Sequence, residues 1–275
     1  TDLSIASGAT LDLQSTQTFA TLDLDGTISN SAGSSELTIT GASDIEGSIT
    51  TSGTQDYEGA ITLTDNTTLV SGDQITFDTT VNSEGSETNN LTVTATELQL
   101  DGIIGGTQTL GAISITGILD LNAAITNATS LSVSSTSNLG ADVTTSSTQT
   151  YTSAVTLSGA DRTLTGSIVN FVDTLAGGTN GLTITGNLDL DGAATGLSTL
   201  AVSGTSNLGA DVTTSSTQTY TSAVVLSTDV TLTTTDSDIT FGATVDGDGT
   251  ARDLTIDMDN GVGADGTVQF INTVG

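Results

Sequence analysis

The chain has 275 residues, a net charge of −30 and 12% charged side chains, against about 25% in ordinary soluble domains. Its two basic residues, Arg162 and Arg252, offer no adequate counter-charge to nucleic acid or an anionic membrane. The absence of Cys and His excludes disulfide staples, thiolate metal sites and imidazole acid–base chemistry.

No apolar run approaches the roughly 20 residues of a membrane-spanning helix, so membrane insertion is not expected. Thr, Ser, Gly, Asp, Leu, Val and Ile dominate. Abundant β-branched residues in regular alternation set the chain apart from a disordered acidic one. With no initiator Met and no signal peptide, it reads as a mature product or an excised segment of something longer.

In chain order, the first block carries T-Q-T-F at Thr16 to Phe19. The motif recurs as T-Q-D-Y from Thr54, T-Q-T-L from Thr107, and T-Q-T-Y from Thr148 and again from Thr217. Each copy leads into alternating apolar residues, as in Ala60-Ile61-Thr62-Leu63. A Phe follows each Tyr at a nearly constant distance: Phe77 after Tyr57, Phe171 after Tyr151, Phe241 after Tyr220. A further L-T-[IV] strand is expected at Leu37, Leu91, Leu182 and Leu254.

The segment 131–158 returns almost unchanged at 200–227. Only Ser132/Ala201, Ser135/Gly204 and Thr156/Val225 differ. Extended backwards, 115–158 is repeated at 184–227. Runs of three to five alternating residues broken by Gly, Ser, Asn and Asp are short-strand and turn grammar, and nothing sustains a helical period.

The expected fold is therefore all-β. Tandem β-sandwich domains, the alternative, would repeat at about 100 residues, whereas this chain repeats at about 20, the length of one β-solenoid coil. A single continuous parallel β-helix over 1–275 would stack like side chains on like, placing Tyr and Phe inside and Asn or Thr ladders at the corners. About 13 or 14 coils spaced near 4.8 Å would form a rod of roughly 60–65 Å. Solenoid ends are open edges, and neither terminus carries an obvious cap. End-to-end self-association, or continuation in a longer chain, is the expectation.

The motifs G-[LI]-T-[IV]-T-G at Gly181 to Gly186 and T-Q-T-Y-x-x-A-V-x-L at Thr148 to Leu157 resemble repeats of large bacterial surface β-helix proteins. The similar types are filamentous haemagglutinin-like exoproteins and the β-strand repeats of adhesins and autotransporter passengers. The resemblance spans about Thr16 to Ile256. It implies a right-handed parallel β-helix, secreted and exposed at the bacterial cell surface, serving adhesion or forming extracellular fibres. The chain departs from many such proteins in its acidity and near absence of Lys.

Three kinds of chemistry are weighed. Asp23/Asp25 and Asp189/Asp191 sit two apart, and on a strand each pair would share the outward face. Asp246, Asp248, Asp257 and Asp259, with Asp253 and Asp265, form a denser patch. Hard oxygen ligands of this kind suit Ca²⁺, and a calcium-assisted site for a host or surface glycan is the competing function. The plainer reading is a solvated acidic face, with no cofactor required. An enzyme is not expected: carboxylate pairs could suit glycoside hydrolysis, but His is missing and basic residues are scarce.

The pairs Thr38/Thr40, Thr92/Thr94 and Thr183/Thr185 raise ice or mineral binding, although they do not recur in every coil. The sequons at Asn66, Asn90 and Asn127 read as corner asparagines. Arg162 and Arg252 are expected in turns, solvated or paired with a nearby Asp. The resulting expectation is a structural, non-catalytic extracellular β-solenoid, either an adhesin segment or a fibre subunit.

Overall fold

The structure, a computed structural model, describes residues 1–258 and 266–275. Its regular elements are short β-strands, with no helix among the described residues. The strands pair in parallel with partners about one coil away, which makes the fold a β-solenoid. The coils fall into two compact units. One comprises Thr1–Thr136 with Thr144–Ser146, and the other Ser137–Val143 with Ser147–Gly275.

The strand Ile61–Ser71 shows how the sequence makes a coil. Buried Ile61 and Leu63 alternate with outward neighbours, and the alternation resumes with buried Thr67, Leu69 and Ser71. A period of two would also bury position 65. Asp65 is exposed instead, as is Asn66, and the chain turns there onto a new face. Gly186, at φ 133°, marks the matching corner within Leu182–Leu190. A Cβ there would run into the Gly166 carbonyl oxygen of the preceding coil.

The first unit has three faces. The first stacks Asp2–Ile5, Thr21–Leu24, the start of Ser43–Thr51, the start of Ile61–Ser71, and Val81–Ser83. The second stacks Thr10–Asp12, Thr27–Ser29, the later parts of Ser43–Thr51 and Ile61–Ser71, and then Leu91, Ile113 and Leu131 with their neighbours. The third stacks Gln17–Phe19, Leu37–Ile39, Gln55–Tyr57, Gln74–Phe77, and the stretches ending at Leu100 and Leu121.

The second unit repeats this plan, and here the coil is most regular. Leu200, Ser206, Val212, Gln218, Val224 and Val230 all open a face with a buried side chain. Every sixth residue thus begins a face, and three faces close one coil, which brings Gln218 beside Leu200. Longer corners stretch other coils, such as the one that brings Ile239 beside Gln218. Leu, Val and Ile fill the interior, and the largest fully buried side chains are Tyr57, Tyr151, Tyr220, Phe77, Phe171 and Phe241.

The two near-identical segments do not occupy equivalent faces. Tyr151 aligns with Phe171, Phe171 with Leu190, and Leu190 with Leu208 on one face, three coils in all. Two more faces lead on from Leu208, so Tyr220 lies on a different ladder, between Val202 and Phe241. The repeat therefore advances three coils and two faces. The three faces are interchangeable hosts for one motif.

Candidate functional site

The repeated T-Q motif is an internal device. Tyr57 Oη donates to Gln55 Oε1 at 2.8 Å, and the same bond joins Tyr151 to Gln149 at 3.2 Å and Tyr220 to Gln218 at 3.1 Å. Gln55 Nε2 donates to the Val70 carbonyl oxygen one coil on, Gln149 to Thr165 and Gln218 to Thr233. All three Gln and all three Tyr are fully buried. A buried amide is costly unless bonded; here the phenol occupies the acceptor and backbone oxygens take the donors. Burial pushes the three phenols far above their ordinary pKa. Each ring stacks on the Phe of the next coil at 4.9–5.4 Å, and Phe270 extends the Tyr220–Phe241 column at 4.9 Å.

Acidic and amide side chains at the corners act on the neighbouring coil. Asp142, Asp161, Asp211, Asp229 and Asp238 each accept, through Oδ1, a backbone N–H from the following coil, at 2.7–3.0 Å. Asn66 Oδ1 accepts the Asn90 N–H, and Asn90 Oδ1 accepts the Ala112 N–H, at 2.9 and 2.7 Å. This is the asparagine ladder that stacking implied. These five aspartates thus satisfy backbone donors that the corners expose.

The residues singled out as cation ligands are placed as follows. Asp23 points outward between buried Leu22 and Leu24, with Ser4 Oγ donating to it at 3.2 Å. Asp25 is exposed as well and lies at the corner, just past the end of Thr21–Leu24. Asp189 is half-buried and accepts from Asn207 Nδ2 at 2.8 Å, while Asp191 lies beyond the end of its strand. In each pair the second carboxylate follows the buried leucine that ends the strand. Desolvation, then the nearby Asp189 charge, raises the Asp191 pKa.

Asp246 is exposed on Val245–Gly247. Asp248 accepts from Arg252 Nε at 3.1 Å and Nη2 at 2.9 Å, and these bonds hold its carboxyl below its ordinary pKa. Asp257 ends the strand Leu254–Asp257 with an exposed side chain. Asp259 and Asp265 lie outside the described residues. Among the described residues no three acidic groups converge on one point in a way that could hold a metal ion. Both arginines meet an Asp, as expected; Arg162 also donates to the Gly140 carbonyl oxygen at 2.7 Å and lies 3.9 Å from Asp142.

Two rows of like charge run along the first unit. At one corner Glu46 faces Asp25 and Asp65, and desolvation followed by those two charges raises its pKa. On the third face Asp56 is raised by desolvation, then by Asp78 and Glu58. Asp56, Asp78 and Asp101 line a shallow depression of about 260 Å³ with Gln74 and Gln99. Gln74 Nε2 bridges Glu97 and Gln99, and Gln99 Nε2 donates to Asp101, which leaves this row stitched along the stack. Sequence reasoning missed this row because its members lie a full coil apart in the chain.

Comparison with protein-family models, with curated proteins and with solved structures found no match. The fold and the arrangement of its side chains therefore carry the functional argument.

Proposed function

We propose that this chain is a structural, non-catalytic extracellular β-solenoid, a segment of a bacterial surface adhesin or a subunit of an extracellular fibre. The observation that supports the reading is where the repeated residues go. The Gln–Tyr–Phe motif is used on internal bonding and stacking, and the corner Asp residues on bonds between coils. A repeat that keeps its packing on whichever face it lands is a unit for building length, as solenoid proteins are built.

In the competing reading, calcium-assisted glycan binding, the carboxylates of the terminal patch would face a cation. Asp248 is instead held by Arg252.

Antibodies raised against the purified chain and applied to source cells for immunogold electron microscopy test the proposal. Gold along surface fibres supports it. Gold confined to the cell interior contradicts it.

A further inference from the structure

The second face of the first unit differs from its neighbours. Its outward row runs Thr10, Thr27, Ser48, Thr68, Thr92, Ser114, Ser132, one hydroxyl per coil in unbroken register. A second row lies beside it, two residues along each strand. It includes Thr50, Val70, Thr94 and Thr116 in register, and Asp12 paired with Ser29 at its start. From Thr27 to Ser132 the two rows hold no ionisable side chain, in a chain of net charge −30.

The other two faces are not like this. The first presents Ser4, Asp23, Asp44, Thr62 and Asn82 outward, and the third presents Thr18, Thr38, Asp56, Thr76, Gln99 and Asp120. Thr92, Thr94, Ser114, Thr116 and Ser132 are exposed, and Thr27, Ser48 and Thr68 are half-buried. Their hydroxyls make no bond to another protein group among the described residues.

We propose that this face binds ice. Stacked coils set the hydroxyls about 4.8 Å apart along the unit, and residues two apart on a strand about 6.6–6.8 Å across it. The face is therefore a two-dimensional grid of hydroxyls with a fixed repeat, interrupted in the second row at Val70, on the scale of the oxygen lattice at an ice surface. Such a grid can hold a layer of water in the same repeat, with threonine methyl groups between the hydroxyls.

The partner is uncharged, as the face is. A carboxylate row would instead hold its own hydration shell and counter-ions. A discrete sugar would need a concave site with convergent polar groups and apolar or aromatic walls. This face has no aromatic side chain, because every Tyr of the chain is interior. The inference stands whether or not the chain is a surface stalk.

The test uses the full chain in ice-recrystallisation and thermal-hysteresis assays, with serum albumin at equal mass as the reference. Thr92→Tyr projects a ring from the middle of the grid, and its β-propensity suits the strand. Thr38→Tyr places the same ring on the third face. The expected result is faceted ice crystals and slowed recrystallisation for the native chain and for Thr38→Tyr, and loss of both for Thr92→Tyr. Circular dichroism checks folding, and Thr92→Gln replaces Thr92→Tyr if the ring unfolds the stack. Native chain that behaves as albumin does, or a folded position-92 variant that keeps full activity, overturns the proposal. Retention on crystalline cellulose without any effect on ice also overturns it.

Discussion

Inside the first unit the Tyr57 hydroxyl donates to Gln55 Oε1 at 2.8 Å, with both side chains fully buried. Neither residue suits the interior without the other. Tyr57→Phe leaves the Gln55 oxygen unpaired, and Gln55→Leu leaves the phenol unpaired. Each single change is expected to cost about 1–3 kcal/mol, the penalty for a buried group without a partner. The double variant Gln55→Leu/Tyr57→Phe is expected to be less destabilised than the sum, because both polar partners have gone. Urea denaturation of the four proteins checks this; strict additivity would contradict it.

High pH is expected to destabilise the fold through the same tyrosines. Folded, all three phenols are held far above their ordinary value of 10.0 by burial. Unfolded, they lose protons above about pH 10. Above that pH the unfolded chain binds fewer protons than the folded one, so stability falls as pH rises. The slope is up to about 1.4 kcal/mol per pH unit for each tyrosine. The chain has no Lys, Cys or His to confuse the titration. Denaturation midpoints across this range should fall, and phenolate absorbance should appear only with unfolding. Phenolate absorbance from the intact fold would contradict the buried placement.

Asp56→Asn is expected to raise the melting temperature at neutral pH. The Asp56 pKa is raised by desolvation, then by Asp78 and Glu58. A carboxyl with a raised folded pKa opposes folding when charged, and that opposition is relieved as pH falls through the folded pKa. The advantage of the variant should shrink on acidification, and partly with added salt, which screens the Asp78 and Glu58 contribution. Calorimetry at several pH values measures it. A lower melting temperature for the variant at neutral pH would show that the carboxylate is needed.

Corner carboxylates and cation ligands respond differently to amide substitution. Asp211 Oδ1 accepts the Thr231 N–H at 2.7 Å. Asp211→Ala removes that acceptor at an exposed corner and is expected to cost about 0.5–1.5 kcal/mol. Asp211→Asn keeps an oxygen in place and should cost much less. Equal losses for the two variants, in buffer free of divalent ions, would contradict the clip.

Ser137 and Ser206 occupy matching positions in the two copies, and both hydroxyls are buried without a partner. Ser206→Ala removes the unpaired oxygen with almost no change in volume. It is expected to stabilise the chain by about 1 kcal/mol. A destabilised Ser206→Ala would mean that the hydroxyl is bonded in solution, by water for instance.

The fold was legible because period-two alternation, turn residues and near-identical repeats all agreed. Tyr57 and Phe77, one coil apart in the chain, do stack. The T-Q motif was legible only in part. Gln17 precedes Phe19, which has no hydroxyl, and it remains half-exposed with its Nε2 on Ser15. Gln108 precedes Leu110 and is exposed ahead of the strand Leu110–Leu121. The amide turns inward only where a Tyr two residues on can bond it, so the motif is Q-x-Y. Of the hydroxyl grid only the pair Thr92/Thr94 was legible, and the carboxylate rows and the rest of the grid were hidden for another reason. Their members come from successive coils with unequal corners, so no fixed spacing in the sequence brings them together.

All of this depends on register: the outward residue of one coil must lie beside a stated residue of the next. The chain contains no cysteine, so an introduced pair reports one contact. Thr219 and Thr240 are aligned neighbours, flanking the Tyr220–Phe241 stack. Parallel neighbours lie about 4.8 Å apart, within disulfide reach. The direct measurement is mild oxidation of Thr219→Cys/Thr240→Cys, read by mass spectrometry beside Thr219→Cys/Thr183→Cys, whose positions on the same face are separated by Ala201. A rapid intramolecular disulfide in the first pair alone is the predicted result. A first pair that stays reduced, or a second that closes as readily, would contradict the stacked register.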